Sequence, residues 1–419
     1  MSLQLRQACS QIPLRPTARP FLLQVVALLI VCALGSPAQA PPQSDIDTRS
    51  QALELCKERR FTEALPLLEK STAAYPGDFV VWEMLGQALV NEAGSAPDPA
   101  ARKQMLLRAR SAFVRARDLG DKSDYLATML EQLPENGDVG PFSTRKEVDD
   151  AMQEGEAAFS RNDYSAALAA YQRALDLDPK AYHAALFTGD VYFRMNQMDK
   201  AADWFAKAIA IDPDRETAYR YWGDALLKDG KMDEAKAKFI EAVVCEPYQH
   251  ASWNGLHNWL RANHAAISHP QVESPDSVSG EGKNINITIG AGSLGKNDGS
   301  EAWLAYDVTR ASWRGERFKK QFPNEPTYRH SLAEEADALN AAASVLVEGY
   351  KKPKQRKRLQ PALLTLLELK EKDMIEPFVL LSKPDTGITK DYVAYRAEHA
   401  DKLREYISEW LIKPAPDSK

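Results

Sequence analysis

The chain has 419 residues, room for two or three domains, and 53 Lys and Arg against 59 Asp and Glu give a net charge of −6. That balance argues against a nucleic-acid binder. Hydrophobic residues at 44% and charged residues at 27% describe a folded chain rather than a disordered one.

Residues 1–40 stand apart: they carry Arg6, Arg15 and Arg19 and no acid. The apolar run FLLQVVALLIVCALG and the A-x-A ending at Ala40 complete the pattern of a secretory signal peptide. An uncleaved membrane anchor is the other reading, but 15 residues at about 1.5 Å rise fall short of a ~30 Å hydrocarbon core. A lipid-modified Cys32 is disfavoured, because Val31 sits where a small side chain is needed. The expected destination is export: the periplasm or cell envelope in a bacterium, secretion otherwise. Past residue 40, Cys56 and Cys245 are too few and too far apart for a disulfide scaffold or a metal site, and core packing in helices is expected for both. The charge beyond the leader is uneven. Residues 41–300 hold 29 bases and 40 acids, whereas 301–419 hold 21 and 19.

A period of 34 residues runs through the middle of the chain. Gly155, Gly189 and Gly223 are 34 apart, and so are Ala167, Ala201 and Ala235. Tyr171, Phe205 and Phe239 keep the same step, as do Ala174, Ala208 and Ala242, and Pro179, Pro213 and Pro247. Glycine on one helix and alanine on the next let two antiparallel helices approach closely. The aromatic and the second alanine pack on the following pair, and proline ends the second helix. Earlier, FTEALPLLEKSTAAYP offers Phe61, Ala64, Leu68 and Pro76 as a second helix of this kind, and VWEMLGQALV offers Trp82, Leu85 and Gly86 as a first helix. The partner of that first helix is delayed by the insertion NEAGSAPDPAARKQ, before Ala109, Phe113 and Ala116. After the third repeat, Trp253, Leu256 and Trp259 suggest a closing helix over 250–265, and LPENGDVGPF at 133–142 is a Pro/Gly break.

This pattern resembles the tetratricopeptide repeat (TPR) family, over roughly 50–260 and most firmly over 148–248. The resemblance implies a stack of helix pairs whose first helices line a concave protein- or peptide-binding surface. Carried to the matching positions, that lining is Met152, Glu156, Phe159, Leu186, Asp190, Phe193, Arg194, Arg220, Asp224, Leu227 and Lys228. Glu156, Asp190 and Asp224 share one repeat position and are expected to form an acidic column. Arg194, Arg220 and Lys228 add basic points, while Phe159, Phe193 and Leu227 give an apolar floor. The plain alternative is that these side chains only solvate an exposed face. A subset of the family clamps a C-terminal carboxylate with Lys and Asn where this chain has Met152 and Glu156, so that clamp is not expected.

Residues 268–299 read as a Gly/Ser/Asn-rich linker. Gly290, Gly292 and Gly295 make a GxGxxG after a strand-like INITI, but Asn297, Asp298 and Gly299 would prevent a helix from starting at the third glycine. A dinucleotide needs that helix N-terminus for its pyrophosphate. No cofactor is therefore expected. The alternating Ile285, Ile287 and Ile289 suit a short strand that pairs with an edge or another strand, and Asn286-Ile287-Thr288 is a glycosylation sequon in a suitable host. A helix is expected to begin near Ser300 as N-cap.

Residues 300–412 read as four or five helices, among them SEAWLAYDVTRASWRGERFKKQF, TYRHSLAEEADALNAAASVLVEGY, LQPALLTLLELKEK and DYVAYRAEHADKLREYISEWLIKP. Around 301–335 lie Glu301, Asp307, Arg310, Arg314, Glu316, Arg317, Tyr328, Arg329, His330, Glu334 and Glu335. Carboxylates with a histidine can do acid–base chemistry, yet His330 and Glu334 are spaced like a surface salt bridge on one helix. No HExxH, GxSxG or Walker loop is present. Lys351, Lys352, Lys354, Arg356, Lys357 and Arg358 form a basic run that offers contact to an anionic surface such as lipid headgroups, or else is a solvated loop.

The expected fold class is all-α: a TPR-like solenoid followed by a C-terminal α-helical domain, with a short β-strand in the linker. The expected segments are a signal peptide at 1–40, N-terminal TPR-like pairs at 41–134, three TPRs with a capping helix at 145–267, the linker at 268–299 and the helical domain at 300–419. The leading function is an exported, non-enzymatic scaffold for a protein or peptide partner, with no cofactor and no metal. The alternative makes 300–412 an enzyme or small-molecule module acting on an envelope substrate and recruited by the repeats.

Overall fold

The computed structural model describes residues 43–96, 98–275, 277–288 and 296–415. The leader and the glycines Gly290, Gly292 and Gly295 lie outside the described residues. Two compact units are formed. The first comprises 43–238 with 248–255, and the second comprises 239–247 with 256–415. The protein is helical apart from four short strands among the described residues.

The first unit opens with α1 (Gln43–Lys57), α2 (Phe61–Ala74), α3 (Phe79–Ser95), α4 (Pro99–Asp118) and α5 (Asp124–Gln132). The repeats proper follow as α6 (Lys146–Ser160), α7 (Tyr164–Leu177), α8 (Tyr182–Arg194), α9 (Met198–Ile211) and α10 (Glu216–Lys228), after which come α11 (Met232–Cys245) and α12 (His250–Ala262). Helix starts follow local chemistry. Asp78 accepts from Val80 N, Asp98 from Ala100 N and Ala101 N ahead of Pro99, Ser123 from Leu126 N and Asp163 from Ala166 N.

The repeat landmarks have a direct steric meaning. A Cβ added at Gly189 would stand 2.6 Å from Phe205 Cδ1 and Cε1, and one at Gly155 would overlap the Tyr171 ring. The glycine is the seat of the next helix's aromatic ring, and Tyr171 and Phe205 are fully buried. Gly86 seats Phe113 in the same way, its Cβ position being 2.6 Å from Cε1. Sixteen residues separate glycine from ring in the regular repeats and 27 here, from Gly86 to Phe113. The extra stretch is close to three turns at 3.6 residues per turn, so the packing face is kept. The insertion is therefore largely helical, lengthening α3 and α4 instead of forming a long loop.

The turn inside each pair is also periodic. Asn162, Asn196 and Gly230 occupy the left-handed region with φ of 61°, 59° and 78°, and Arg59 takes it at the equivalent turn with φ 62°. Asn and Gly tolerate that conformation at a helix C-terminus. Cys56 is buried in the core of the first helices beside Phe61 and Leu68.

Helix α5 was not anticipated. Leu126 and Met129 bury its apolar side. Arg110 Nη1 donates to the carbonyls of Leu130 and Leu133, each at 2.7 Å, which satisfies its C-terminal end. Thr128 Oγ1 accepts from Asn254 Nδ2 at 3.0 Å, and Glu131 Oε2 accepts from His250 N at 3.0 Å. These bonds join α5 to the first turns of α12.

In the second unit, β1 (Ala265–Ile267) pairs antiparallel with β4 (Ile412–Pro414), with Ala266 opposite Lys413. A hairpin of β2 (Val278–Glu281) and β3 (Asn284–Ile287) sets Gly280 opposite Ile285. The strand expected at INITI thus pairs inside the linker itself. Helices α13 (Ala302–Ser312), α14 (Phe318–Gln321), α15 (Leu332–Gly349), α16 (Pro353–Arg356), α17 (Pro361–Glu371), α18 (Ile375–Ser382) and α19 (Tyr392–Glu405) make up the rest. Between α13 and α14 the helix widens into a π turn over Trp313–Arg317, where the Arg314 carbonyl accepts from Gly282 N of the hairpin at 3.1 Å. A second π turn, Tyr406–Leu411, ends the last helix just before β4. Ser300 does not cap α13: the helix starts at Ala302, and Ser300 donates instead to Asp298 Oδ1. Tyr392 and Arg396 hold the end of α11 by donating to the carbonyls of Val244 and Cys245 at 2.7 and 2.8 Å.

Candidate functional site

The expected lining comes from the first helices α6, α8 and α10, and the structure corrects its openness. Met152, Glu156, Phe159, Leu186, Asp190 and Arg220 are buried. Phe193, Arg194, Asp224 and Leu227 are half-buried, and Lys228 alone is exposed. The positions fall on one helical face as the repeat requires, but most of them serve packing.

The acidic column also differs member by member. Glu156 Oε1 accepts from Tyr171 OH at 2.7 Å, so this acid ties the repeat's own ring. Asp190 is fully buried and lies 3.8 Å from Arg194 Nε. Arg220 is spent on Glu216, with Nε to Oε2 at 2.8 Å and Nη2 to Oε1 at 3.1 Å, and Thr217 Oγ1 adds a bond to Glu216 at 2.9 Å. Burial pushes Asp224 up to about 7, against the pull of the Arg220 guanidinium. Lys228 places its ammonium 4.8 Å over the Phe193 ring, covering the apolar floor. Between α8 and α10 some polar capacity is unspent. Arg194 Nε and Nη2, Tyr221 OH and Asp224 Oδ1 are shielded from solvent and find no hydrogen-bond partner among the described residues.

In the longer first pair, Gln87 follows Gly86 as Glu156 follows Gly155, and it is buried too. One turn earlier Glu83 is buried, and burial together with a bond to the Asp121 carboxyl pushes it up to about 9. Glu83 is therefore held neutral at pH 7. Glu83 lies on the lining face and sequence reasoning passed over it, although the spacing of four from Gln87 was available.

The second unit gathers the charged cluster around 301–335 into one network. Glu334 and Glu335 are buried. Glu334 accepts from Arg310 Nε at 2.6 Å and from Tyr328 OH at 2.9 Å. Glu335 Oε2 accepts from Tyr306 OH at 2.8 Å and Arg310 Nη1 at 3.3 Å, and lies 3.1 Å from His330 Nε2. His330 Nδ1 meets Asp385 Oδ2 at 2.6 Å. Burial opposes the imidazolium, but the bonds to Glu335 and Asp385 outweigh it and the histidine's pKa is raised. His330 lies ahead of the N-cap Ser331 and outside α15, so the expected one-turn pair with Glu334 on a shared helix is not formed, and its partner there is Glu335. Asp385, more than fifty residues away, had no sequence signal. Each carboxylate already accepts several donors, which suits a structural tie between α13, α15 and the 383–391 loop more than a proton-transfer site. Among the described residues no group of three or more His, Cys, Asp or Glu is placed to hold a metal, and no helix is long and apolar enough to cross a membrane.

Residues 152–216 match the family described as Tetratricopeptide repeat, and residues 189–247 match one described as TPR repeat. No curated protein matches significantly in sequence. Similar solved structures include the Sgt2 TPR domain from Aspergillus fumigatus, 26% identical over 34% of this chain and 97% of that one, with a TM-score of 0.27. The Arabidopsis OM64 TPR domain is 20% identical over 28% of this chain and 97% of its own, with a TM-score of 0.27. YrrB, described as a TPR protein with an unusual peptide-binding site, is 17% identical over 52% of this chain and 93% of its own, with a TM-score of 0.24.

Proposed function

Because residues 152–247 of this chain are tetratricopeptide repeats, we propose that it is an exported, non-enzymatic interaction scaffold that holds an extended peptide segment of a partner against α8 and α10. The observation that carries this reading is the unspent polar capacity of the half-buried Arg194 and Asp224. Buried polar groups without partners cost free energy, and a bound chain relieves that cost. An extended peptide offers carbonyls to Arg194 and an N–H to Asp224. Phe193 and Leu227 supply apolar contact, and Lys228 stands where it can move off the Phe193 ring. The basic leader, apolar run and A-x-A of residues 1–40 support the export part of this reading.

The test is selection of phage-displayed peptides on the purified protein, followed by titration of the best peptide against the double variant Arg194→Gln, Asp224→Asn. Both changes keep side-chain volume. Affinity should fall about tenfold or more, the scale of losing one charge-assisted bond. Undiminished binding would place the peptide elsewhere.

The alternative, turnover of an envelope substrate by 300–412, is favoured only by His330 being partly exposed between two carboxylates. It would require His330 to release Asp385 or Glu335 to act on a substrate. A Glu335→Gln variant with wild-type turnover would remove it.

A further inference from the structure

The basic run at 351–358 is built as a rigid platform. Tyr350 and Leu359, on either side, are buried, and Tyr350 OH donates to Glu301 Oε1 at 2.9 Å. Pro353 opens the short helix α16, and Gln355 Oε1 accepts from Lys352 N at 2.9 Å. One base of the six is turned to structure. Arg356 Nε donates to the Tyr350 carbonyl at 3.3 Å, and its other nitrogens grip Glu371 at 3.1 and 2.5 Å. The other five, Lys351, Lys352, Lys354, Lys357 and Arg358, are exposed and form no ion pair among the described residues. Glu371 is taken by Arg356, and Val347, one turn before the run, is an exposed apolar side chain at 38%.

The charge is local. Residues 301–419 hold 21 bases and 19 acids, and without the six bases of this run the balance would be 15 to 19. The positive excess of residues 301–419 therefore resides in one eight-residue segment, and residues 41–300 are acidic in sum, by 40 to 29. A long polyanion such as a nucleic acid would extend past this small patch onto the rest of 301–419, whose remaining balance is acidic, 15 to 19. A plane of anionic headgroups touches only what is presented to it.

We propose that the 351–358 platform docks the protein on an anionic lipid surface, with Lys351, Lys352, Lys354, Lys357 and Arg358 in the headgroup layer and Arg356 as the internal strut. Attraction of this kind acts within a Debye length and adds up by residue, about fivefold in partition for each lysine near the surface at low salt. Holding the lysines on a fixed backbone removes part of the ordering cost of binding.

The experiment is co-sedimentation of the purified full chain with phosphatidylcholine vesicles containing about one third phosphatidylglycerol, and with phosphatidylcholine alone, at low and at high salt. The expected result is binding to the anionic vesicles only, weakened by salt and reduced at least tenfold in Lys351→Gln, Lys354→Gln, Lys357→Gln. Thermal unfolding should be unchanged in that variant, because all three side chains are exposed. Lys354→Gln should reduce binding more than Arg356→Gln, which removes the same charge from the inward-facing side. Equal binding to neutral vesicles, an unaffected triple variant, or tight salt-sensitive binding of a single-stranded RNA oligomer with none to vesicles would each overturn the proposal.

Discussion

Replacing Gly189 by alanine sets two effects of opposite sign against each other. Alanine is favoured over glycine inside a helix by about 1 kcal/mol, so on propensity alone the variant is more stable. The new methyl, however, would stand 2.6 Å from two atoms of the Phe205 ring, roughly 1 Å inside ordinary carbon contact. Phe205 is fully buried and has nowhere to swing. Overpacking of this kind costs about 1–3 kcal/mol, and a contact this close belongs at the upper end, so a net loss of about 2 kcal/mol is expected. Urea denaturation followed by circular dichroism would read it as a lower midpoint. In a Phe205→Leu background the same substitution should turn neutral or stabilising, because the ring that blocks it is gone. Gly230→Ala is the contrasting case: nothing lies within 4 Å of its Cβ position, but its φ of 78° is left-handed, so a loss of about 1–2 kcal/mol comes from the backbone alone and no second substitution should rescue it. If Gly189→Ala alone raises stability, the seating of the aromatic on the glycine is wrong, and with it the steric reading of the repeat.

Glu83→Gln should stabilise the protein. A carboxyl pushed up to about 9 stays protonated in the fold while the unfolded chain ionises near 4.5, so its cost grows as pH rises from 4.5 toward 9 and reaches about 3 kcal/mol at pH 7. The gain from glutamine should be seen at pH 7 and be absent at pH 4, and a variant less stable at pH 7 would contradict a neutral buried Glu83. Arg310→Met should lower stability by about 3–5 kcal/mol, since Glu334 and Glu335 would remain buried without their common cation. Adding Glu334→Gln should restore part of that loss in chemical denaturation. His330, with its raised pKa, stabilises fully below about pH 6.5, and this contribution fades as pH climbs through the folded-state value. A stability–pH profile should lose that slope in His330→Asn and keep it if Asp385 and Glu335 do not hold the imidazolium.

Periodicity made the repeats legible because each landmark answers to a contact within one or two helices. Gly155 and Tyr171 are 16 residues apart and meet; Asn162, Asn196 and Gly230 each close the same turn. What periodicity could not carry is burial set by more distant chain. Glu156 and Asp190 hold surface-like positions in the pattern, yet both are enclosed, and polar residue type alone gave no sign of it. Helix α5 was missed because its apolar residues, Leu126, Met129 and Leu133, fall in a short stretch between turn formers with no repeat to match. The helical course of the 91–104 insertion was hidden by Gly94, Pro97 and Pro99, although Pro99 at a first helical position and Asp98 as cap were readable signs. In the second unit the helices were visible from their apolar spacing, whereas α18 lay in a short apolar run that names no type by itself. The pairing of β1 with β4 joins segments about 145 residues apart, and the link of His330 to Asp385 is similarly long-range. Such contacts are products of the fold and leave no local signature.

The most direct test of peptide binding by the repeats is hydrogen–deuterium exchange of the full chain with and without the best selected peptide. New protection concentrated in α8, 182–194, and α10, 216–228, is the expected result, with residues 302–349 unchanged. Protection confined to 302–349 or to the 383–391 loop would contradict the assignment and move the function to the C-terminal helical domain.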